Sequence, residues 1–322
     1  MRGSLRLRAS SLPTHRIDRV PRRINHHCAH HDHPQHLLPT FSGYGAAKQV
    51  SPAIVDHHES PSCIEGSLSI IADACAEVGV RTNLAYGVTD RHGADGARRG
   101  LAENERFLRG GGRGMVGVHA AFTCTDDTMA AAAGLAADLG VGVHIHVAEG
   151  PDDVAAGERL EGLARDDWWL VHCVYLDREL PGTIAHNPRS NMNNSVGYAR
   201  PAARPNRIVL GTDGIGADML EEFRLAYVRL REDDVLASPD TVWGWLENGY
   251  ALFPEARADR VTWNYPHADS AWHVAFTPGV RALDVVRDDG EVLVRDGLPT
   301  RVDLAEVRAK AAEQAHRLFT HL

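Results

Sequence analysis

Apolar and polar segments alternate regularly along the middle of the chain. Between residues 53 and 213, short apolar runs recur, and most of them end in His or Asp. Runs of this kind, bounded by turn residues, predict strands that are buried on both faces, as in parallel sheets. The predicted strands lie at 53–58, 81–86, 115–119, 141–149, 168–172, 183–188 and 207–213.

Segments with helical spacing of apolar residues fill most of the intervals between these strands. The predicted helices lie at 64–78, 96–108, 126–140, 152–164 and 218–231. Strands that alternate with helices predict a parallel sheet with right-handed crossovers. With an eighth strand near His31, the pattern predicts a (β/α)8 TIM-like barrel. The alternative is an open doubly wound sheet, which usually carries a glycine-rich phosphate turn, and the chain has no GxGxxG or GxxxxGK[ST] motif.

The pattern changes after residue 231. Apolar runs at 282–286 and 291–295 flank Asp288-Asp289-Gly290 and predict a β-hairpin, followed by a helix over 304–319. We expect three parts: a disordered basic leader at 1–23, a barrel at 24–281, and a hairpin and helix at 282–322. The appended part would be a small, incomplete β-sandwich.

Composition narrows the choice of partners. The 322 residues carry 34 Lys and Arg against 43 Asp and Glu, a net charge of −9, which argues against nucleic acid and anionic membranes as partners. No apolar run approaches the ~20 residues of a membrane span. The five cysteines are scattered without CxxC spacing, so we expect a cytoplasmic protein with no disulfide framework. The Arg-rich first 23 residues resemble a transit peptide in composition, but a misplaced start or a disordered leader is our interpretation.

Two strand ends carry the residues most suited to chemistry. His146 and Glu149 end one predicted strand, and Asp213 ends another within Gly211-Thr212-Asp213-Gly214. In parallel barrels, active sites form where the carboxyl ends of the strands meet. A metal ligand, a carboxylate that moves protons and a second carboxylate would together allow metal-assisted hydrolysis.

Six motifs in order resemble those of the amidohydrolase superfamily, in the branch of cytosine, guanine and S-adenosylhomocysteine deaminases and triazine chlorohydrolases. The similarity is greatest to the SsnA-type aminohydrolases, although the N-terminal part is shortened. The resemblance covers more than half of the chain. The residues that carry it are Asp56-His57-His58-Glu59-Ser60-Pro61, Gly117-Val118-His119, His144-Ile145-His146-Val147-Ala148-Glu149, Val171-His172, His186-Asn187-Pro188-Arg189-Ser190-Asn191 and Leu210-Gly211-Thr212-Asp213-Gly214.

The resemblance implies one divalent metal, zinc or alternatively iron, at the mouth of the barrel. It implies that His146 ligates the metal and that Asp213 ligates it or takes a proton from its water. Glu149 would carry protons between water and the leaving group. His172 would touch the attacking water or polarise the bond under attack, and His119 would bind substrate. These roles make Glu149, His172 and Asp213 the expected catalytic residues.

The family also implies a His-x-His pair on the first strand, and His31 and His33 have that spacing. A His-rich loop is the alternative interpretation of this region. The residues expected to bind substrate, besides His119, are His57, His58, Arg189 and Asn191. A surface position is the alternative for Arg189. His144 faces the same side as His146 one layer deeper, and we interpret it as a packed, hydrogen-bonded core residue.

The chain departs from the family in its N-terminal strands, which we expect to be absent, so that the hairpin at 282–295 would lack partners. We interpret residues 256–263 as the remnant of a turn. A homodimer that covers the exposed edges is a further hypothesis.

The function we expect is metal-dependent hydrolysis of a C–N bond in a small molecule, by deamination of an N-heterocycle. Hydrolytic dechlorination or cyclic-amide hydrolysis at the same site is the second interpretation. A non-catalytic, degenerate relative is the third.

Overall fold

The computed structural model describes residues 53–215, 218–268 and 270–320, with the side chains of 318 and 319 left out. Its first part contains seven strands, most of them separated by helices, and four short strands follow. The strands are β1 Ala53–His58, β2 Arg81–Tyr86, β3 Val116–Ala120, β4 Val143–Val147, β5 Trp169–His172, β6 Thr183–His186, β7 Arg207–Leu210, β8 Arg260–Trp263, β9 Ala282–Val286, β10 Val292–Arg295 and β11 Leu298–Pro299.

The helices occupy the intervals that the sequence predicts and some that it does not. The α-helices are α1 Ser67–Glu77, α2 Gly93–Arg109, α3 Asp126–Leu139, α4 Ala156–Leu160, α5 Pro188–Asn193, α6 Met219–Asp233, α7 Pro239–Glu247, α8 Ala271–Ala275 and α9 Leu304–Thr320. Single 3-10 turns lie at Asp90–His92, Ala121–Thr123, Pro151–Asp153, Pro201–Ala203, Asn248–Ala251 and Pro254–Ala258.

All seven predicted strands are present, and they pair in parallel in chain order. β1 pairs with β2, and β3 to β7 form a five-stranded sheet. Two parallel bridges, Leu84 to Gly114 and Val88 to Val118, connect β2 to β3. The parallel α/β architecture is therefore confirmed. The predicted eighth strand near His31, and the leader at 1–23, lie outside the described residues.

The two faces of the sheet bury different cores, because side chains alternate along each strand. The face toward the helices packs Ile145, Leu170 and Ile184 into the main core. The other face gathers a smaller cluster, which consists of Met115, Trp169, Val171, Ala185 and Val209, with Val55 packed against it. Val55 of the first described strand and Val209 of the seventh therefore belong to the same apolar cluster.

Local signals set most of the helix ends. Thr125 accepts the backbone N–H of Thr128 at the start of α3, and Gly140 ends the helix in the left-handed region with φ of 66°. The predicted helix at 152–164 is wrong in extent, because α4 spans only Ala156–Leu160. Gly162 has φ of 83°, which a right-handed helix does not accommodate.

The C-terminal strands form a four-stranded antiparallel sheet in the order β11-β10-β9-β8. The expectation of a hairpin without partners is wrong, because β8 pairs with β9 along the segment that the sequence suggested was a turn remnant. Arg81 of β2 forms a bidentate ion pair with Asp259, which lies just before β8. The two N–O distances are 2.6 and 2.9 Å. The antiparallel sheet therefore includes Arg260–Trp263, and this ion pair connects it to the parallel sheet.

Across the residues that the structure describes, no helix has both the length and the apolar composition needed to cross a bilayer.

Candidate active site

Side chains from three strand ends meet at one point beyond the parallel sheet. The ligand atoms of Glu149, His172 and Asp213 all lie within 4.8 Å of one another. His172 Nε2 is 3.6 Å from Glu149 Oε2 and 3.7 Å from Asp213 Oδ2. The three residues predicted to be catalytic thus come together, from the ends of β4, β5 and β7.

The hydrogen bonds of His172 orient its ring toward the two carboxylates. Its Nδ1 lies 2.8 Å from Oδ1 of Asn191, an amide oxygen that accepts, so Nδ1 carries the hydrogen. In the neutral ring, Nε2 is then an acceptor that faces the oxygens of Glu149 and Asp213. Three converging acceptors repel one another unless a cation or a donated proton lies between them. The arrangement fits a divalent metal together with its water.

His146 is also fixed in a tautomer that suits a metal ligand. Its Nδ1 donates to the backbone carbonyl oxygen of His119 at 2.6 Å, which leaves the lone pair on Nε2. Its ring centroid lies 5.5 Å from that of His172. Burial, together with the neighbouring His172, lowers the pKa of His146 to about 4, so the ring is neutral at physiological pH. A neutral imidazole is the form that ligates a metal.

The two carboxylates are held by hydrogen bonds from one short segment. Asn194 Nδ2 donates to Glu149 Oε1 at 3.1 Å, and Ser190 Oγ donates to Asp213 Oδ2. Burial of Glu149 opposes its ionisation, but His172, His146 and the bond from Asn194 outweigh that effect and lower the pKa of the carboxyl. Glu149 is therefore ionised and can accept a proton. Asn194 lies three residues beyond the motif that ends at Asn191, so that motif did not predict its role.

Strained backbone surrounds the same point. Ala148, His172, Cys173 and Asp213 all have positive φ, between 47° and 71°. Non-glycine residues rarely adopt this conformation, and each instance costs of order 1–3 kcal/mol. Such residues cluster at functional sites, where the rest of the structure holds them in place.

His119 belongs to a second polar group at the ends of β1 and β3. Its Nδ1 is 2.9 Å from Thr123 Oγ1, and its Nε2 is 4.0 Å from Glu59 Oε2. The Glu59 carboxylate also accepts from Arg91 at 2.8 Å and lies 3.0 Å from Nε2 of His92. The sequence motif contained Glu59, but nothing in its spacing indicated this ionic cluster.

His57 and His58, at the end of β1, contact different residues. His57 Nδ1 lies 2.7 Å from Nδ1 of His144, and its ring centroid is 4.6 Å from that of His146. His58 Nε2 is 2.8 Å from Ser60 Oγ. Gly87 leaves the space that the His57 ring occupies, since a Cβ there would lie 2.5 Å from His57 Nε2. His144 is buried and hydrogen-bonded, which confirms its interpretation as a core residue.

Two other polar residues of the β6 motif face the helical layer. Arg189 forms an ion pair with Glu222 of α6, an acid whose side chain is fully buried, at 2.5 Å. Burial raises the pKa of Glu222 to about 7 despite this partner. The His186 ring lies edge-on to Tyr198 and Trp245, and burial lowers its pKa to about 3. The predicted metal ligands His31 and His33 lie outside the described residues.

The model of the amidohydrolase family matches residues 51–241, more than half of the chain. The chain belongs to the amidohydrolase family. This amidohydrolase is a hydrolase that acts on carbon–nitrogen bonds, and its predicted family is confirmed.

Alignments with curated relatives cover about three quarters of this amidohydrolase. The 5'-deoxyadenosine deaminase of Methanopyrus kandleri is 28% identical over 304 aligned residues, which cover 78% of this chain and 70% of that protein. The 5-methylthioadenosine/S-adenosylhomocysteine deaminase of Desulforudis audaxviator is 30% identical over 303 residues, covering 77% and 70%.

Solved structures share the fold at lower identity. The adenosine deaminase of Xanthomonas campestris with bound zinc superposes with a TM-score of 0.68 at 17% identity, covering 88% of this chain and 74% of that one. The atrazine chlorohydrolase of Arthrobacter aurescens TC1, complexed with zinc, gives a TM-score of 0.62 at 19% identity, covering 81% and 72%.

Proposed function

We propose that this amidohydrolase deaminates an amino-substituted N-heterocycle of the adenosine-derivative class. The observation that carries the proposal is the convergence of His172 Nε2 with one oxygen each of Glu149 and Asp213, at 3.6 and 3.7 Å. The names of the curated relatives supply the substrate class, since both describe deaminases of adenosine derivatives.

The metal we propose is zinc, with iron as the alternative. His146 and Asp213 would hold it, together with His31 and His33 from an eighth strand that closes the (β/α)8 barrel. When bound, it would act as a Lewis acid that makes water a nucleophile near neutral pH. The zinc in two solved structures of this fold supports the assignment.

Glu149 carries out the proton transfers between water and the leaving group in this proposal. As an ionised carboxylate it accepts a proton from the attacking water and then delivers one to the amino nitrogen that leaves as ammonia. His172, which donates from Nδ1 to Asn191, presents Nε2 to the same point and orients the water or the substrate nitrogen. Asp213 accepts the second proton of the water and passes it to the ring nitrogen of the product, so the carbonyl product and ammonia form and both carboxylates return to their ionised state.

Substrate recognition is proposed at the mouth between β1 and β3. His119 and His58 face the substrate in this proposal. The contacts of His57, Arg189 and Asn191 with His144, Glu222 and His172 favour a supporting role for those three residues.

The test is a screen of the zinc-loaded enzyme against 5'-deoxyadenosine, 5-methylthioadenosine and S-adenosylhomocysteine, with ammonia release as the readout. Chlorotriazines and cyclic amides are assayed in parallel for chloride release and ring opening. Glu149→Gln should lower kcat by about 10²–10⁴-fold while the bound metal remains. Chloride release or ring opening without ammonia would replace deamination by the second candidate, and a fully active Glu149→Gln enzyme would overturn the mechanism.

A homodimer and a cytoplasmic location are also proposed. Several large apolar side chains in or next to α6, α8 and the loop before α7 are exposed and would suit a subunit contact; these are Val228, Val235, Leu236, Trp272 and Phe276. The free thiols of Cys63, Cys75, Cys124 and Cys173 suit a reducing compartment. Sedimentation analysis that finds only stable monomer would remove the dimer from the proposal.

A further inference from the structure

A continuous hydrogen-bonded bridge joins the two carboxylates of the site. Asn194 Nδ2 donates to Glu149 Oε1 at 3.1 Å and to Ser190 Oγ at 3.2 Å. Ser190 Oγ donates in turn to Asp213 Oδ2. One amide and one hydroxyl therefore connect side chains that lie after β4 and β7.

The direction of each hydrogen bond is fixed by what the groups can donate. An amide nitrogen has two hydrogens, and a hydroxyl has one. Asn194 uses both of its hydrogens, on Glu149 and Ser190, and Ser190 uses its single hydrogen on Asp213. The amide is oriented from behind by Asn193, whose Nδ2 donates to Asn194 Oδ1 at 3.1 Å. Both ends of the bridge meet a carboxylate, which strengthens these bonds.

The short helix α5 places the two donors together. The backbone N–H of Asn194 bonds to the carbonyl of Ser190 at 2.8 Å, so the two residues lie one turn apart on the same face. Ser190 is completely buried, while Asn194 is half-buried at the edge of the site. The bridge is therefore anchored in a hydrogen-bonded turn of the backbone, and it does not depend on a mobile side chain alone.

The two oxygens of Glu149 have different partners. Oε1 is occupied by Asn194, whereas Oε2 faces His172 Nε2 at 3.6 Å. We propose that Asn194 is a positioning residue, which holds one oxygen of Glu149 so that the other faces the reacting atoms and stays aligned with Asp213. This inference rests on the proposed role of Glu149 as the proton carrier.

The first test replaces Asn194 with Leu, which is similar in size and donates no hydrogen bond. We expect kcat to fall by about 10–100-fold, since small misplacements of a catalytic group cost about that much, while KM and the zinc content change by less than about threefold. Asn194→Asp keeps the shape but places a second carboxylate against Glu149, and it should lose at least as much kcat.

The matched control is Asn206→Leu. Asn206 Nδ2 also makes two hydrogen bonds, at 2.9 and 2.8 Å, but to the carbonyls of Leu180 and Gly182 at the opposite ends of the strands. This variant should lose stability without a change in kcat at a temperature where it is folded. If Asn194→Leu retains kcat within about twofold, or loses only stability as the control does, the positioning role is refuted.

A crystal structure of zinc-loaded Asn194→Leu separates this inference from the proposed function. The bridge predicts that the Glu149 carboxylate rotates away from His172 Nε2 in the variant. An unmoved carboxylate would overturn the inference even where the enzyme is active. A displaced carboxylate would support it even if none of the screened heterocycles is a substrate.

Discussion

The Nδ1 atoms of His57 and His144 lie 2.7 Å apart, and both side chains are buried. One imidazole must donate to the other, so the pair is held in complementary tautomers. The His57 ring also contacts the His146 ring in a tilted arrangement, with 4.6 Å between centroids. The pair therefore packs against His146, which we propose as a metal ligand.

Replacing His144 with Leu should lower the free energy of unfolding by about 1–3 kcal/mol, because a buried nitrogen of His57 loses this partner. Urea unfolding measures the change. In a double-mutant cycle with His57→Leu, we expect a coupling energy of about 0.5–3 kcal/mol. Strictly additive losses would show that the two rings do not interact.

The amount of bound metal should distinguish variants of His146 from variants of His144, the two histidines of β4. His146→Ala and Asp213→Ala should both leave the protein with little metal after dialysis against a chelator, whereas wild type should keep about one divalent ion per chain. His144→Ala is the matched control and should keep its metal. Inductively coupled plasma mass spectrometry provides the measurement. Full metal retention in His146→Ala would contradict its assignment as a ligand.

Arg189 should contribute to stability through Glu222. The Glu222 carboxyl is fully buried, so Arg189→Met leaves it without its charged partner and should cost about 1.5–3 kcal/mol. Replacing both residues by Met should recover part of the loss, because no buried charge remains. A variant with unchanged stability but a raised KM would instead make Arg189 an anchor for an anionic substrate.

The protein should become less stable as the pH is lowered, and His186 should contribute to this loss. Burial lowers the pKa of this histidine to about 3, from an ordinary value of 6.5. Between these values the unfolded state binds a proton that the folded state does not, so stability decreases as the pH falls from about 6.5 toward 3. The slope from this one group is at most about 1.4 kcal/mol per pH unit.

His186→Leu tests this dependence, since the substituted side chain suits the apolar contacts with Tyr198 and Trp245. Urea unfolding of both proteins at about pH 7, 6 and 5 gives the two slopes. The variant should lose less stability per pH unit than wild type. Equal slopes would mean that His186 becomes protonated in the folded protein.

Several features of the site could be predicted because they depend on short stretches of sequence. Apolar runs that end in polar residues located all seven parallel strands, and the carboxyl ends of such strands meet at one edge. The strand pattern and the family motifs therefore sufficed to predict that Glu149, His172 and Asp213 lie together. The hydrogen-bonded, buried state of His144 followed from its alternation with His146 along one strand.

Other features depend on contacts between distant parts of the chain. The pairing of β8 with β9 was missed because β8 is only four residues long and half exposed, so its apolar pattern is weak. The extent of α4 was overestimated because helical spacing continues past Gly162 although the backbone does not. Asn194 carries no signal of its own, since polar residues in loops are ordinary, and the motif that contains Glu59 does not indicate its ionic partners.

The sequence by itself determined the order and type of the parallel elements and the strand ends that carry ionisable residues, because both follow from local periodicity and chain direction. Only the tertiary structure decided which polar groups are partners. Hydrogen bonds act over about 3 Å, so the choice of Asn191 for His172, Glu222 for Arg189 and Asn194 for Glu149 depends on how strands and helices far apart in sequence pack against each other.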